Sequence, residues 1–339
     1  MARIALDAMG GDFAPQATVA GALQALPELD SSHRVQLIGR TAVLDEQLRT
    51  LLGGELKGLA VHRARLELVD APDVIEMTDK PSVAVRGKQN SSMVLGLRMQ
   101  VEGKSDAFVS AGNTGAQMAA STVLLKLHAG LTRPAIATLF PTARQPVVVL
   151  DSGANVDCSA DELVQFARLG AVYAESILGR PSPSVGLLSV GEEPEKGSTA
   201  VKEAHQMLRD AGLNFHGNVE GRDLPLGASD RGVVDVVVCD GFTGNALLKF
   251  YEAVGPLIVN MIAEATKLDG AQLRSALRTL DYSEYGGAPL LGVKGISIIS
   301  HGKSSARAIK NAIKVAVRAY ESRMNESIGR RLAAAASAA

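Results

Sequence analysis

The feature that most constrains this chain of 339 residues is a series of short, uniformly apolar runs, most of them followed by a longer segment with helical spacing. Because strands in a parallel sheet are buried on both faces, runs without polar alternation are typical of such strands. The pattern predicts a three-layer α/β/α fold with a mainly parallel sheet. The runs are Ile4 to Leu6, Val35 to Ile38, Ala107 to Val109, Val147 to Leu150, Val185 to Leu188, Val233 to Val238 and Ile296 to Ile299.

Two segments between these runs have a clear helical stripe, Ala160 to Leu178 and Ser304 to Tyr320. Both are predicted to be helices that pack on the sheet. No segment has the composition of an interdomain linker, so we expect residues 1–330 to form a single intertwined α/β domain. The Ala-rich residues 331–339 are expected to form a disordered tail.

Composition excludes several classes of protein. Lys and Arg number 35 against 36 Asp and Glu, a balance that argues against a protein that binds nucleic acid by neutralising phosphates. The chain has two cysteines, Cys158 and Cys239, too few for a disulfide framework or a thiolate metal site. No secretory signal is visible, and no uninterrupted apolar run reaches the roughly 18 to 20 residues that span a bilayer. We therefore expect a cytoplasmic protein that is at most peripheral to a membrane.

Small polar residues and glycines follow six of the apolar runs. In open α/β sheets ligands bind beyond the carboxyl ends of the strands. Glycine lets backbone amides approach a ligand, and helix amino termini add partial positive charge, so this edge suits an anion such as phosphate. The competing interpretation is that these residues only form tight turns. The six segments begin at Asp7, Ser110, Asp151, Ser189, Asp240 and Ser300.

Several familiar motifs fail in detail. Gly302, Lys303 and Ser304 resemble the end of a P-loop, but Ser297 stands where that motif needs its first glycine. There is no dinucleotide-binding glycine fingerprint, no pair of histidines at metal-ligand spacing and no Gly-x-Ser-x-Gly elbow. His301 follows a predicted strand and is equally compatible with a site residue and a loop histidine. Cys239 closes an apolar run, where a free cysteine is usually a small buried hydrophobe.

Taken together, the segments after the strands resemble one family, the bacterial phosphate acyltransferases of the PlsX type, which transfer an acyl group from acyl carrier protein to phosphate. The resemblance extends from residue 3 to about residue 320, in the family's order. It rests on Asp7 to Asp12, Ser82 to Met93, Val109 to Ala116, Arg133 to Ala135, Gly153 to Asn155, Gly186 to Gly197, Gly217 to Glu220, Asp240 to Asn245, Tyr285 to Gly292 and His301 to Ser304.

This resemblance implies a fold like that of isopropylmalate dehydrogenases and phosphotransacetylases, with two interleaved lobes, and a homodimer. It implies no metal and no organic cofactor. The implied substrates are inorganic phosphate and a long-chain acyl group carried by acyl carrier protein. The acyl phosphate product would pass to a glycerol-3-phosphate acyltransferase at the membrane, for glycerophospholipid synthesis.

The resemblance also singles out two catalytic candidates. Lys196 is expected to position phosphate or stabilise the leaving group, and Asn245 to stabilise the oxyanion, although a lysine in a Glu-rich loop is ordinarily only a solvated charge. The surrounding phosphate cradle is expected to comprise Asp7, Gly10, Gly11, Asp12, Asn113, Thr114, Asn155, Glu193, Asp240, Thr243, His301 and Ser304.

One apolar helical face has two interpretations. Leu257, Ile258, Met261 and Ile262 are expected on one side of a helix. By resemblance this face is a tip that contacts the inner face of the cell membrane, and the alternative is a helix buried in the dimer interface.

Three rival functions remain at this stage. A phosphotransacetylase acting on acyl-CoA would share the phosphate chemistry. A non-catalytic membrane-associated scaffold for phospholipid synthesis would leave the polar strand ends unexplained. A decarboxylating NAD dehydrogenase of the same fold would need clustered metal-binding aspartates, which the sequence does not show.

Overall fold

The computed structural model describes residues 1–266 and 286–338. Its strands are β1 (Arg3–Asp7), β2 (Arg34–Gly39), β3 (Leu66–Asp70), β4 (Ala107–Ser110), β5 (Ala135–Ile136), β6 (Thr138–Phe140), β7 (Val147–Leu150), β8 (Val185–Leu188), β9 (Phe215–Val219), β10 (Ala228–Ser229), β11 (Gly232–Val233), β12 (Val236–Val238), β13 (Ala288–Leu291) and β14 (Ser297–Ile299). Its α-helices are α1 (Gln16–Ala25), α2 (Thr41–Gly53), α3 (Pro81–Gly87), α4 (Ser92–Val101), α5 (Thr114–Leu125), α6 (Ala160–Leu178), α7 (Thr199–Arg209), α8 (Asp223–Leu226), α9 (Gly241–Thr266), α10 (Ala306–Glu321) and α11 (Met324–Ala338).

The predicted strands and the two predicted helices are confirmed, and so is the mainly parallel α/β fold. One apolar run is divided in the structure. Val233 ends β11, which pairs with β10 in a short antiparallel hairpin, whereas Val236–Val238 forms the buried strand β12. The polar strands β3 and β9 were not predicted, because Glu67 and Asn218 interrupt their apolar character.

The chain forms two compact units whose segments alternate along the sequence. Unit 1 comprises Met1–His128 and Gly286–Gly329, and unit 2 comprises Ala129–Tyr285 and Arg330–Ala339. The single intertwined domain expected for residues 1–330 is therefore divided between two units. Tyr285, which begins one of the family-like segments, lies outside the described residues.

The strands of unit 1 follow the order β3-β2-β1-β4-β14-β13. Neighbouring strands are parallel except for β13 and β14. Asp7 pairs with Ile38, and Ile299 pairs with Ser110, so the carboxyl ends of β1, β4 and β14 lie side by side. Helix α1 packs closely on α10, because a Cβ atom on Gly21 would lie only 2.7 Å from Cβ of Ile309.

The five-stranded sheet of unit 2 has the order β6-β7-β12-β8-β9, and within this sheet only β6 is antiparallel to its neighbour. Helix α6 begins with a reciprocal capping box between Ser159 and Glu162, which satisfies two of the amides at the start of the helix. A Cβ atom on Gly170 of this helix would lie 2.6 Å from Cγ1 of Val236. The absent side chain thus allows α6 to lie directly on the sheet.

The carboxyl-terminal residues differ from the expected disordered tail. Helix α11 continues to Ala338, and Leu332 within it is buried. Arg331 pairs with Glu175 of α6. Alanine has the highest intrinsic helix propensity, so an Ala-rich segment that begins with an anchored turn continues as helix.

Helix α9 is long and largely exposed. By length and composition alone it is the one helix among residues 1–266 and 286–338 that could cross a membrane, which is weak evidence because the core helices of other proteins pass the same test. Leu257, Ile258 and Met261 are exposed and Ile262 is half-buried, so the predicted apolar face is present.

Candidate active site

Three of the six polar strand-end segments belong to unit 2 and meet at one edge of its sheet. They follow β7, β12 and β8, which are neighbours in that order, and the pairing of Val238 with both Leu150 and Leu187 aligns the three carboxyl ends. The loop after β8 carries Lys196, and the loop after β12 leads into Asn245. The two predicted catalytic residues therefore follow adjacent strands of one sheet.

A buried carboxylate organises the loop after β7. Asp151 has no exposed surface and accepts hydrogen bonds from the backbone amides of Ile136, at 3.0 Å, and Ala154, at 3.0 Å. It also accepts from the amide of Asn155, at 2.6 Å, and from Asn155 Nδ2, at 2.9 Å. Burial raises the pKa of Asp151, and these hydrogen bonds oppose the rise. Residues 151–155 are thus held as a fixed loop.

The first turn of α9 rests directly on this loop. The Gly241 amide donates to the Asn155 carbonyl oxygen at 2.7 Å. A Cβ atom on Gly244 would overlap the carbonyl oxygen of Asp151, so only glycine permits this approach. Asp240 accepts hydrogen bonds from the amide and the hydroxyl of Thr243, both at 2.8 Å, and so caps the start of the helix. Asp240 and Thr243 of the predicted cradle thus bind each other.

Asn245 lies in the second turn of the helix, with its side chain exposed over Gly153. A Cβ atom built on Gly153 would be 3.4 Å from Cβ and 3.4 Å from Oδ1 of Asn245. Among the described residues the carboxamide of Asn245 has no hydrogen-bond partner, in contrast to the carboxamide of Asn155, which donates to Pro134 and Asp151. Asn245 is therefore free to donate to a ligand, whereas Asn155 is occupied in holding the loop.

The loop after β8 presents Lys196 on a tight turn. The Lys196 amide donates to the Glu193 carbonyl oxygen at 3.0 Å, and Gly197 follows in the left-handed region with φ of 101°. The carboxylate of Glu192 is paired with Arg222 at 3.2 Å, and no carboxylate of the described chain forms an ion pair with the exposed Lys196 ammonium. Lys196 is thus an available cation, although its loop is rich in glutamate.

The edge of unit 1 is built around a second buried carboxylate. Asp7 accepts hydrogen bonds from Ser92 Oγ at 2.6 Å, Ser110 Oγ at 2.7 Å and the Met9 amide at 3.2 Å. Burial raises the pKa of Asp7, against the effect of these donors. A Cβ atom on Gly10 would lie 2.5 Å from Asp7 Oδ2, so the glycine lets the chain turn tightly over the carboxylate.

The other predicted cradle residues of unit 1 have varied surroundings. Asn113 caps α5 by accepting from the Ala116 amide, and its Nδ2 donates to the carbonyl oxygens of residues 76, 77 and 79, so its carboxamide is occupied structurally. Thr114 is exposed in the first turn of α5.

The loop after β14 holds two further predicted cradle residues. His301 is exposed and accepts from the Lys303 amide through Nδ1 at 3.1 Å, whereas Ser304 is buried. The Asp12 amide donates to the Gly302 carbonyl oxygen at 2.7 Å.

The predicted site residues are thus divided between the two units. Unit 2 holds both catalytic candidates together with Asn155, Glu193, Asp240 and Thr243. Unit 1 holds Asp7, Gly10, Gly11, Asp12, Asn113, Thr114, His301 and Ser304. Ser92 and Asp151 were not among the predicted site residues, although both lie in segments that the sequence singled out. The signal for Asp151 was present, because Asp151 follows β7 as Asp7 ends β1.

Neither cysteine is an activated nucleophile. Burial raises the pKa of Cys158 to about 12, and the charges of Asp151, Glu162 and Asp240 add to the effect. Burial raises the pKa of Cys239 well above its ordinary value, and its Sγ lies 3.6 Å from the Asp151 carbonyl oxygen. A nucleophilic cysteine requires a lowered pKa. In the part of the chain that the structure describes, no cluster of three or more His, Cys, Asp or Glu residues is arranged to hold a metal.

The fold is shared with known acyl-transferring enzymes. A phosphotransacetylase from Streptococcus pyogenes aligns with a TM-score of 0.61 and 16% identity, over 95% of this chain and 94% of its own. A branched-chain phosphotransacylase from Enterococcus faecalis aligns with a TM-score of 0.61 and 15% identity, over 94% and 99% of the two chains. At this level of identity the likeness shows the fold alone.

Sequence comparison is more specific. Residues 2–327 match the family model described as fatty acid synthesis protein. The phosphate acyltransferase of Desulforamulus reducens is 47% identical over 330 residues, which cover 95% of this chain and 94% of that protein. The phosphate acyltransferase of Moorella thermoacetica is 45% identical over 337 residues, with 96% and 95% covered. The chain is an acyltransferase enzyme with an α/β fold. It belongs to the fatty acid synthesis protein family of phosphate acyltransferases.

Proposed function

We propose that this enzyme transfers a long-chain fatty acyl group from acyl carrier protein to inorganic phosphate, giving acyl phosphate and free carrier protein. The observation that carries the proposal is the placement of Lys196 and Asn245 after adjacent strands of one sheet, each with its side chain free of other protein partners among the described residues. One supplies a cation and the other a neutral donor, which is the pair of groups that the reaction requires.

The proposed reaction is a direct attack of a phosphate oxygen on the thioester carbonyl carbon. The carbon–sulfur bond breaks after a tetrahedral intermediate, and the pantetheine sulfur leaves as a thiolate that takes up a proton. Lys196 draws phosphate to the edge of the sheet and offsets the charge that develops on the sulfur. Asn245 Nδ2 donates to the oxyanion, a type of interaction that is often the largest contribution to acyl transfer.

The route involves no acyl-enzyme. Cys239 is buried and Cys158 is half-buried, and the pKa of each thiol is raised, so neither supplies the thiolate that a covalent route would need. Fixing phosphate beside the thioester instead converts a bimolecular reaction into one between oriented neighbours. Residues 151–155 and the first turn of α9 provide the rigid support for that orientation.

The remaining predicted residues are proposed to support substrate binding at the strand ends of their own units. In unit 1 the Gly11 amide is the proposed backbone donor, and Gly10 shapes the turn, because the amides of Met9 and Gly10 are bound to the buried Asp7. The carboxamides of Asn113 and Asn155 act through the loops that they hold. No metal or organic cofactor takes part in the proposed reaction.

The donor is the point at which the alternatives differ. A phosphotransacetylase would use acyl-CoA, and the structural neighbours include enzymes with that name. A scaffold for phospholipid synthesis would bind acyl carrier protein without turnover. The relatives named phosphate acyltransferase and the fatty acid synthesis family support acyl transfer to phosphate, and the resemblance of the strand-end segments implies acyl carrier protein as the donor.

One assay separates these functions. The purified protein is incubated with phosphate and either palmitoyl-acyl carrier protein or palmitoyl-CoA, and acyl phosphate is trapped as the hydroxamate. Product from the carrier-protein donor is expected to form at the higher kcat/KM. Preference for acyl-CoA would establish the phosphotransacetylase alternative, and no product from either donor would favour the scaffold.

We also propose that the protein works in the cytoplasm as a homodimer that contacts the inner face of the membrane peripherally. The apolar face of α9 is formed by Leu257, Ile258, Met261 and Ile262. Exposed apolar faces of this kind are normally covered by a membrane or by another protein surface, which supports the proposal. The membrane and a second copy of the chain are the two candidate occupants of this face. A glycerol-3-phosphate acyltransferase at the membrane would consume the reactive acyl phosphate.

A further inference from the structure

Beneath the turn that carries Lys196 lies a buried pair of polar side chains, Asn218 and His205. Asn218 is 1% exposed and His205 is 4% exposed. His205 Nδ1 lies 2.9 Å from Asn218 Oδ1, and Asn218 Nδ2 donates to the Glu193 carbonyl oxygen at 2.8 Å. The same carbonyl oxygen accepts the Lys196 amide at 3.0 Å. A continuous series of hydrogen bonds thus joins α7, β9 and the Lys196 turn.

We propose that Asn218, held by His205, is a positioning residue that fixes the turn of residues 193–196 and thereby the direction of the Lys196 ammonium. The inference rests on the proposed function, because it assigns a support to the residue that binds phosphate there. It is distinct from a role in chemistry, since both side chains are buried beneath the turn.

The backbone of β9 determines where the carboxamide of Asn218 lies. Gly217 precedes Asn218 with φ of 100°, a backbone conformation that favours glycine, and the pairing of β8 with β9 shifts register between Val185 and Gly186. An irregularity of this kind re-aims the side chain that follows it. The consequence is that a polar residue on a strand points inward, under the loop, at the end of β9.

The chemistry of the groups determines which atom of Asn218 and His205 donates each hydrogen bond and which accepts it. The Glu193 carbonyl oxygen can only accept, so the atom of Asn218 that faces it is the donor Nδ2. Oδ1 then faces His205 and must accept, so His205 Nδ1 carries a proton. The ring of His205 also stands edge-on to Phe215, with centroids 5.1 Å apart, which holds the ring in this orientation.

Buried polar groups are costly unless they are fully bonded, so this pair stabilises one arrangement of the turn. The residues of the turn from Glu193 to Lys196 are themselves exposed, and the buried Ser189 Oγ before the turn has no hydrogen-bond partner in the described chain. Without the Asn218 donor, the turn would lose the side-chain hydrogen bond that it receives from β9.

The first test measures the geometry without reference to any reaction. Asn218→Asp keeps the size of the side chain but replaces the donor by an oxygen, so the amide exchange of residues 191–197, followed by hydrogen-exchange mass spectrometry, is expected to accelerate at least about tenfold. Asn214→Asp is the matched control, because Asn214 Nδ2 donates to the Ser182 carbonyl oxygen at 3.0 Å at the opposite end of β9. Unchanged exchange at 191–197 in Asn218→Asp would overturn the proposal.

The second test measures the consequence for turnover. A displacement of about 1 Å can cost about 100-fold in rate, so Asn218→Asp and, to a smaller extent, His205→Phe are expected to lower kcat/KM for phosphate by about tenfold or more. In a Lys196→Ala background the Asn218→Asp change is expected to have little further effect, since it acts through Lys196. Full additivity of the two changes would overturn the positioning role. A wild-type enzyme that makes no acyl phosphate would refute the proposed function but leave the exchange result standing.

Discussion

The carboxamide of Asn245 lies over Gly153, close enough that a Cβ atom on the glycine would contact Cβ and Oδ1 of Asn245 at 3.4 Å. Gly153 has φ of 127°, so the loop needs glycine there for its backbone as well as for the space. This contact joins the loop after β7 to the helix after β12. It places a free amide donor above a fixed loop that Asp151 holds from below.

Asn245→Ala is expected to lower kcat by about 100-fold to 1,000-fold, because it removes one oxyanion donor. The side chain is exposed, so the melting temperature should change little. Asn260→Ala, an exposed amide later in the same helix, is the control and should retain activity. Near-normal turnover of Asn245→Ala would remove this residue from the mechanism.

Lys196→Ala is expected to lower kcat/KM for phosphate by at least about 100-fold, since it removes the unpaired cation of the loop. The measurement is the initial rate as a function of phosphate concentration. Lys202→Ala removes an exposed lysine from α7 and is the matched control for charge. Equal phosphate dependence in the two variants would contradict the assignment of Lys196.

Cys158→Ser and Cys239→Ser are expected to keep most of the activity, and iodoacetamide at pH 7.5 should inactivate the enzyme slowly. The reason is that burial raises the pKa of both thiols, that of Cys158 to about 12, so little thiolate forms. Activity and alkylation are measured in parallel by assay and mass spectrometry. Loss of turnover in a well-folded serine variant would revive a covalent route.

Asp7→Asn is expected to gain stability relative to the wild type as the pH rises. Burial raises the pKa of Asp7 above its ordinary 3.8, so the unfolded chain ionises first and the wild type loses stability from pH 3.8 up to the raised pKa. The asparagine side chain does not titrate, so the variant does not lose stability in this pH range. Urea unfolding of both proteins between pH 4 and pH 8 measures the difference, and a difference that stays constant with pH would contradict the expectation.

Leu257→Glu combined with Ile258→Glu is expected to abolish flotation with anionic liposomes if the apolar face of α9 contacts the membrane. Val123→Glu, at another exposed apolar position, is the control. Sedimentation of the same variants measures the dimer. Normal flotation with a dissociated dimer would assign this face to a second copy of the chain instead.

The sequence predicted the strands of the sheet well. It predicted less well which partners the polar side chains after those strands would bind. Runs such as Val147 to Leu150 are apolar throughout, which is typical of strands that are buried on both faces of a parallel sheet. Asn113 and Asn155 were predicted as cradle residues from type and position alone. Their carboxamides are occupied by neighbouring carbonyl oxygens, and no pattern along the chain indicates which polar groups will meet which.

The amino-acid sequence by itself determined the α/β class, the strand ends at which the polar residues gather, and the family, because these follow from local periodicity and from motifs in fixed order. Only the tertiary structure decided that Asp7 and Asp151 are buried supports and that Lys196 and Asn245 follow adjacent strands of unit 2. Those outcomes depend on strand order and on hydrogen bonds between residues far apart in the chain, such as the one from Ser110 to Asp7. Local patterns do not contain this information, since it arises only when the sheet assembles.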